Sequence, residues 1–368
     1  ARLARRMIKV LHVIDSLDLG GAQTVLLNFA RFHDRERFAL TVAAMHGRGV
    51  FARPLEREGV PVVSLSARGF PPGYLLSFPR LLGKERFDVV HFHLFGSNWI
   101  AKPLAALCGV RVRVNHDHCN DRVRADCRWR RSLDGATNRL SSHIFAVSGS
   151  TRDCLVGEEG IHPAKVSVLP NAVDTGRFRP ATDAERAAAR AELGLAGARL
   201  VVAGLGRLHP QKNWPLFLEV AGRFPEAEFV IAGTGPEEGN LRKLAPGNVR
   251  FAGFRDARTV LAAADVFLLT SDYEGTPMTL LEAMACGVPA VVSAVDGCAE
   301  IMGGGRGGVA AAPGDAGDFA GKVGEFLGRP ELRASEGVVA RARALRDYDA
   351  RRQARAVEEV YGKLLEAR

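Results

Sequence analysis

No apolar run in these 368 residues approaches the ~20 needed to span a bilayer, so a transmembrane helix is not the organising element. No secretory leader is expected either. Ala1 to Arg6 are basic, but Met7 to Ile14 is too short and too early for a leader and reads as a first strand, with Met7 as the candidate natural start. The six cysteines, Cys108, Cys119, Cys127, Cys154, Cys286 and Cys298, contain no C-x-x-C pair. Read as free thiols of a reducing compartment, they point to a cytoplasmic protein. A G-x-G-x-x-G fingerprint is missing after the first strand, which argues against dinucleotide binding there. No nucleic-acid module is visible.

What is present is a soluble composition, 47% hydrophobic and 25% charged, with a net charge of +9. The length fits two domains, each with its own core. The basic balance suggests contact with an anion: nucleic acid, a membrane surface or a phosphorylated substrate. Short apolar runs alternate with helical stretches in the first half, at Ile8–Ile14, Ala39–Met45, Val60–Leu65, Val89–His93 and Ser142–Ser148. The rhythm begins again at Leu200–Leu205 and continues through Phe229–Ala232, Val249–Phe254, Ala264–Leu269 and Pro289–Ser293. Such a βαβα rhythm predicts an α/β fold with a doubly wound parallel sheet in each half. Ala181 to Leu195 reads as a helix or linker, and Arg351 to Arg368 as a charged helix with Val357, Val360, Tyr361, Leu364 and Leu365 as its apolar stripe.

The most informative stretch runs from Ser271 to Ala285. It follows a buried strand, and Gly275 and Pro277 end that strand and open a helix. Free amides of Gly275, Thr276, Pro277's neighbours and Met278 at a helix N-terminus suit a phosphate. Glu274 and Glu282 flank that nest, and carboxylates are good acceptors for sugar hydroxyls. A ligand with hydroxyls on both sides of a diphosphate, a nucleotide sugar, satisfies both demands. Arg207 and Lys212 lie just past the strand Leu200–Leu205, where a bidentate guanidinium and a point charge can clamp a diphosphate. Gly20 and Gly21 follow the first strand and allow close backbone approach to a ligand.

Two histidines end the run Val110 to Asn120. A metal site of His116, His118 and Cys119 is disfavoured, because no second cluster supplies the remaining ligands. His91 reads as structural, whereas His93 lies near a strand's C-terminal end, where open α/β sheets bind ligands. Arg122, Arg124, Arg128, Arg130 and Arg131, with Trp129 among them, form either a solvated helix face or a patch for a lipid-phosphate acceptor or anionic membrane. Asp347-Tyr348-Asp349 is formally D-x-D but sits at a helix start and reads as a cap.

The pattern Glu-Gly-x-Pro-x-x-x-x-Glu-Ala-x-Ala from Glu274 to Ala285 resembles the E-x7-E signature of retaining glycosyltransferases of family 4, in particular those building bacterial surface polysaccharides. Gly206-Arg207 with Lys212 matches that family's Gly-Arg-x4-Lys motif, and Gly20-Gly21 its donor-facing loop. Lys165 to Asp174 is similar to the segment preceding the interdomain linker, with Ala172 for the usual Gly. Asp296 likewise stands for a Gly in a loop that usually reads Gly-Gly-x-x-Glu.

The resemblance implies the GT-B fold: two Rossmann-like domains facing across a cleft, with a C-terminal helix crossing back to the first. It implies an acceptor domain at 1–180, a nucleotide-sugar domain at 181–348 and the returning helix at 349–368. It places Arg207, Lys212 and the amides of Gly275 to Met278 on the leaving diphosphate, Glu282 on the ribose, Glu274 on the transferred sugar and main-chain groups near Phe254 on the base. His118, or else His116, faces the reacting sugar. The implied reaction is metal-independent, cofactor-free transfer with retention from a UDP-sugar to a hydroxyl acceptor, lipid-linked glycan or natural product, with peripheral contact to an anionic membrane and no nucleic acid. Alternatives are a GT-B epimerase or phosphorylase, or a non-enzymatic nucleotide- or RNA-binding protein.

Overall fold

Runs of β-branched residues that are apolar on both faces make buried parallel strands, and helices cover them. The computed structural model describes residues 6–66, 72–118, 128–195, 197, 199–303 and 306–367, with Pro72, Arg128, Arg130 and Arg131 described by backbone alone. Two compact units divide the chain: Ala1–Ala172 with Ala350–Arg368, and Val173–Asp349.

Among the described residues, the first unit holds seven parallel strands: β1 (Ile8–Ile14), β2 (Phe38–Ala44), β3 (Val62–Ser64), β4 (Val89–His93), β5 (Val112–Asp117), β6 (His143–Ala146) and β7 (Val166–Val168). Their order is β3-β2-β1-β4-β5-β6-β7. The helix Gly21–Phe32 packs Leu26, Phe29 and Ala30 into the core below it. The C-terminal helix Ala350–Glu366 adds Ala354, Val357 and Tyr361 to that same core. Tyr361 is fully buried, with the Phe38 ring 6.0 Å away and His91 accepting or donating at its hydroxyl.

The second unit holds six parallel strands among its described residues: β8 (Val201–Leu205), β9 (Glu228–Ala232), β10 (Val249–Gly253), β11 (Val266–Leu269), β12 (Ala290–Ser293) and β13 (Gly308–Ala311), in the order β10-β9-β8-β11-β12-β13. Phe267, Leu269, Leu280, Leu281 and Met284 build its core. In both sheets the strand order reverses once, between β1 and β4 in the first and between β8 and β11 in the second. Ligands of open α/β sheets bind beyond the strand ends at such a reversal.

The division falls at Ala172/Val173, not at 180/181, and the second crossing at 349/350. The reason is local pairing. The Val173 amide donates to the Tyr348 carbonyl at 2.8 Å, Val173 bridges to Asp349, and Phe178 is buried in the second unit's core. Arg341 fastens this segment by donating to the carbonyls of Thr175, Phe178 and Ala285. The stretch expected only to cap a helix therefore also pairs the two chain crossings, and the Asp349 carboxylate accepts from the Thr175 hydroxyl.

Candidate active site

In the second unit, the loops leaving β8 and β11 are stitched together. Gly206 and Leu208 run against the turn after β9 so tightly that a Cβ on Gly233 would lie 1.8 Å from the Gly206 oxygen, and one on Gly235 2.3 Å from the Leu208 oxygen. A short turn, Pro210–Lys212, follows, and Asn213 ends it in the left-handed region (φ 46°), where its side chain caps the helix Trp214–Gly222. Thr270 donates to the carbonyls of Lys212 and Asn213 at 3.0 Å, Gln211 to the Tyr273 carbonyl at 3.0 Å, and Asn213 to Asp272 at 2.9 Å. These bonds fix Lys212 beside the loop Ser271–Pro277.

Lys212 and Glu274 form a nearly buried ion pair, and Ser271 Oγ donates to the same carboxylate at 2.7 Å. Glu274, expected on sugar hydroxyls, thus holds the lysine in this structure. The helix Met278–Ala285 begins at Pro277 with no side-chain cap, so its first amides remain available to an anion. Behind it, the Gly297 amide donates to the Glu274 carbonyl at 3.3 Å, and a Cβ on Gly297 would lie 1.5 Å from the Gly275 oxygen. Asp296, noted as standing for a Gly, sits at φ 31°, a region that favours glycine.

Glu282 is buried and has neither a side-chain hydrogen bond nor an ion pair among the described residues. Burial pushes its carboxyl up to about 8, with the Asp256 charge adding and Arg177 opposing. At neutral pH it is therefore mostly a neutral acid, able to donate to one hydroxyl oxygen and accept from another. Arg177 pairs with Asp256 at 2.7 Å. Arg207 is exposed, and no ion pair holds it among the described residues. Phe254, just past β10, is 61% exposed.

The first unit presents different chemistry at its strand ends. Gly20 is extended and precedes the helix Gly21–Phe32, which has no side-chain cap. Asp15, at the end of β1, accepts from the amides of Gly96 at 2.8 Å and Ser97 at 2.6 Å, and burial nevertheless raises its pKa. Beside it lies a slab of imidazoles: His12 on β1, His91 and His93 on β4, His116 on β5 and His118 just beyond. Parallel pairing sets His12 beside His91 and His93 beside His116. His12 Nδ1 meets His93 Nε2 at 2.9 Å, and His93 Nδ1 meets His118 Nε2 at 3.2 Å. The His116 and His118 rings stack at 4.4 Å. Burial drives His12 down to about 3 and His118 to about 4, and His91, His93 and His116 well below the ordinary range. β1 and β4 bring further imidazoles beside His116 and His118, because sheet pairing joins residues remote in sequence.

Of the expected site residues, the structure brings together Lys212, Glu274, Gly275, Thr276, Pro277 and Met278, with Glu282 on the helix they open. His116 and His118 adjoin each other in the first unit. Arg122 and Arg124 lie outside the described residues, as do the side chains of Arg128, Arg130 and Arg131 on the helix Arg128–Asn138. Sequence reasoning missed His12, Asp15, Arg177 and Ser271. A histidine inside the apolar strand IKVLHVI was a signal that could have been used. No helix among the described residues is long and apolar enough to cross a membrane.

Comparison with known proteins follows the same division. Residues 19–177 match the family model for Glycosyltransferase Family 4, and residues 199–329 that for Glycosyl transferases group 1. The chain is 30% identical over 248 residues to the UDP-Gal:alpha-D-GlcNAc-diphosphoundecaprenol alpha-1,3-galactosyltransferase of Escherichia coli, an alignment covering 61% of this chain and 62% of that protein. It is 30% identical over 308 residues to the GDP-mannose-dependent alpha-(1-6)-phosphatidylinositol monomannoside mannosyltransferase of Mycolicibacterium smegmatis, covering 78% of this chain and 80% of that one. The crystal structure of Anabaena HepE with UDP-glucose superposes with a TM-score of 0.86 at 21% identity, covering 97% of this chain and 100% of HepE. Two Rossmann-like parallel-sheet units are thus the GT-B fold.

Proposed function

The chain belongs to the family 4 glycosyltransferases, and from that premise we propose that it moves a sugar from a nucleoside-diphosphate sugar, a UDP-sugar by default, to an acceptor hydroxyl with retention of configuration. The observation that carries this reading is the Lys212–Glu274 pair set against the uncapped helix Met278–Ala285 at the β8/β11 reversal. A diphosphate there would meet the lysine, the first amides of the helix and the exposed Arg207. As the bond between the anomeric carbon and the phosphate oxygen breaks, its electron pair stays on that oxygen and the leaving diphosphate gains one negative charge, which preorganised positive groups stabilise, lowering the barrier. Glu282, neutral and buried, would exchange hydrogen bonds with ribose hydroxyls. Glu274 would release part of its hold on Lys212 to accept from the transferred sugar.

The acceptor oxygen would bond to the anomeric carbon on the face the phosphate leaves, and its proton would pass to the departing phosphate. No covalent glycosyl-enzyme is required, so isolation of one would overturn this route. His118, with His116 as second choice, is the candidate imidazole for a hydroxyl of the reacting sugar. The names of the relatives support a lipid-linked acceptor and leave the base between uracil and guanine: the E. coli enzyme uses UDP-Gal and a diphosphoundecaprenol glycan, the mycobacterial one GDP-mannose and a phosphatidylinositol glycan. Peripheral association with an anionic membrane at the cytoplasmic face belongs to the same reading.

The test is calorimetric titration with UDP, GDP, ADP and NAD in EDTA, on the native protein and on Glu282→Ala and Lys212→Ala. Selective binding of one nucleoside diphosphate, weakened in both variants, is expected and names the base for a donor screen. Binding of NAD alone, or of nothing, would overturn the proposal.

A further inference from the structure

Glu274 has two carboxylate oxygens, and the protein occupies only one of them. Lys212 Nζ and Ser271 Oγ both donate to Oε1, Ser271 at 2.7 Å. Oε2 makes no hydrogen bond and no ion pair among the described residues. Nor is it one of the buried atoms stranded without a partner, so it opens onto solvent. A carboxylate has about four lone-pair sites on its two oxygens. Here those of one oxygen are taken inside the protein, and those of the other face outwards.

Ser271 is 1% exposed, so it acts on a ligand only through another group. It is not a helix cap, because the helix Met278–Ala285 begins at Pro277 with no side-chain cap. Among the described residues its hydroxyl has one partner, the Glu274 carboxylate. Its backbone is strapped on both sides. Thr270 Oγ1 donates to the carbonyls of Lys212 and Asn213 at 3.0 Å, and the Asp272 amide donates to the Gln211 carbonyl at 2.9 Å. A hydroxyl donating to an ionised oxygen makes one of the stronger hydrogen bonds. The last torsion of a glutamate is broad and roughly twofold when left to itself. A fixed donor on Oε1 therefore decides which oxygen points out.

We propose that Ser271 is the positioning residue of the transferred-sugar site: it holds Glu274 Oε1 so that Oε2 faces a hydroxyl of the sugar. Lys212 cannot do this alone. An incoming diphosphate draws its ammonium away, whereas the neutral, buried Ser271 has no second partner to turn to. Ser271 keeps the carboxylate in place while the lysine changes hands. The inference rests on the reading of Lys212 and the helix Met278–Ala285 as a diphosphate clamp. It adds a residue that lies outside the pattern from Glu274 to Ala285, three positions before its first glutamate.

The full chain is titrated calorimetrically with UDP and GDP, and with UDP-galactose, UDP-glucose and GDP-mannose, the sugar donors named for the similar proteins. The donor and diphosphate of the preferred base are then used on the variants. Ser271→Ala should weaken the donor about three- to tenfold, while the diphosphate alone binds within about twofold of native. At saturating donor, release of the diphosphate to water should slow by about tenfold or more. Glu274→Ala should weaken the donor at least as much, and Ser271→Ala should then add nothing, because its partner is gone. Donor and diphosphate weakened equally by Ser271→Ala would make the hydroxyl a general support of the loop and overturn the proposal. So would native affinity and native turnover in Ser271→Ala, or a loss of the same size in the Glu274→Ala background. Should Ser271→Ala misfold, Ser271→Cys, close in shape and a weak donor, replaces it with the same expectations. A native chain that binds no nucleoside diphosphate fails the clamp reading itself, and this proposal with it. Selective diphosphate binding joined to any of the overturning results fails this proposal alone.

Discussion

The two units share one architecture and put opposite chemistry at the same topological place. Beyond β8 and β11 the second unit gathers charge: Lys212 on Glu274, an uncapped helix and the exposed Arg207. Beyond β1 and β4 the first unit gathers neutral imidazoles and the backbone-bonded Asp15. A reversal in strand order creates a crevice whatever its lining. The lining follows from which residue types end the strands, and it decides whether the crevice suits a diphosphate or hydroxyls.

The largest expected difference is in pH response. In the first unit burial depresses seven imidazoles, the five of the slab together with His33 and His143, so their stabilisation is complete above the unfolded value of 6.5 and is lost as pH falls towards the folded values, about 4 for His118 and His143 and about 3 for His12. Between pH 7 and 5.5 the loss is roughly 1 kcal/mol for each buried imidazole, several in sum. In the second unit Glu282 is raised to about 8. Its contribution is complete below the unfolded value of 4.5 and falls as pH rises towards 8, by up to ~1.4 kcal/mol per unit. Hydrogen exchange at pH 5.5, 7 and 8, corrected for intrinsic rates, should lose protection in the first unit on the acid side and in the second on the alkaline side. Glu282→Gln should flatten the alkaline loss alone. Equal losses in both units at either extreme would erase the contrast.

A smaller effect sharpens the contrast from the second unit. Lys212→Ala removes the cation from a buried carboxylate, which costs about 3–5 kcal/mol when one partner of a buried pair is deleted. It should also cut kcat by about 10²–10³, as loss of one preorganised transition-state donor does. These two effects separate in the double variant Lys212→Met with Glu274→Gln, where no buried charge is left unpaired. Its urea midpoint should recover most of the loss, and its turnover should stay low. Recovery of turnover together with stability would make Lys212 a structural residue only.

The second unit's site was legible in the sequence because its parts are local. Gly206 to Lys212 and Glu274 to Glu282 each form one strand–loop–helix joint, so spacing alone sets their geometry. What sequence missed there divides in two: Ser271 acts inside its own loop, on the Glu274 carboxylate, whereas Arg177 reaches from a remote segment towards Glu282. The first unit was legible as a fold and much less so as a site. His12, His93 and His116 are remote in sequence and meet only through the pairing β1–β4–β5. The boundary at Val173 was hidden for the same reason, since its partner is Asp349. Patterns report what adjacent residues do, and long-range registry stays silent until the strands are ordered.

The smallest effect lies on the far side of the imidazole slab. Tyr361 comes from the C-terminal helix and is fully buried in the first unit's core, its hydroxyl on His91 Nδ1. Tyr361→Phe keeps the ring and its contacts with Phe29 and Phe38 but leaves His91 with neither nitrogen partnered among the described residues. An unsatisfied buried group costs about 1–3 kcal/mol, so the urea midpoint of the first unit should fall while that of the second stays in place. Nucleoside-diphosphate binding, assigned to the second unit, should be unchanged. A silent substitution would mean that His91 already does without this bond. A fall in both units would mean that the C-terminal helix supports more than the core it enters.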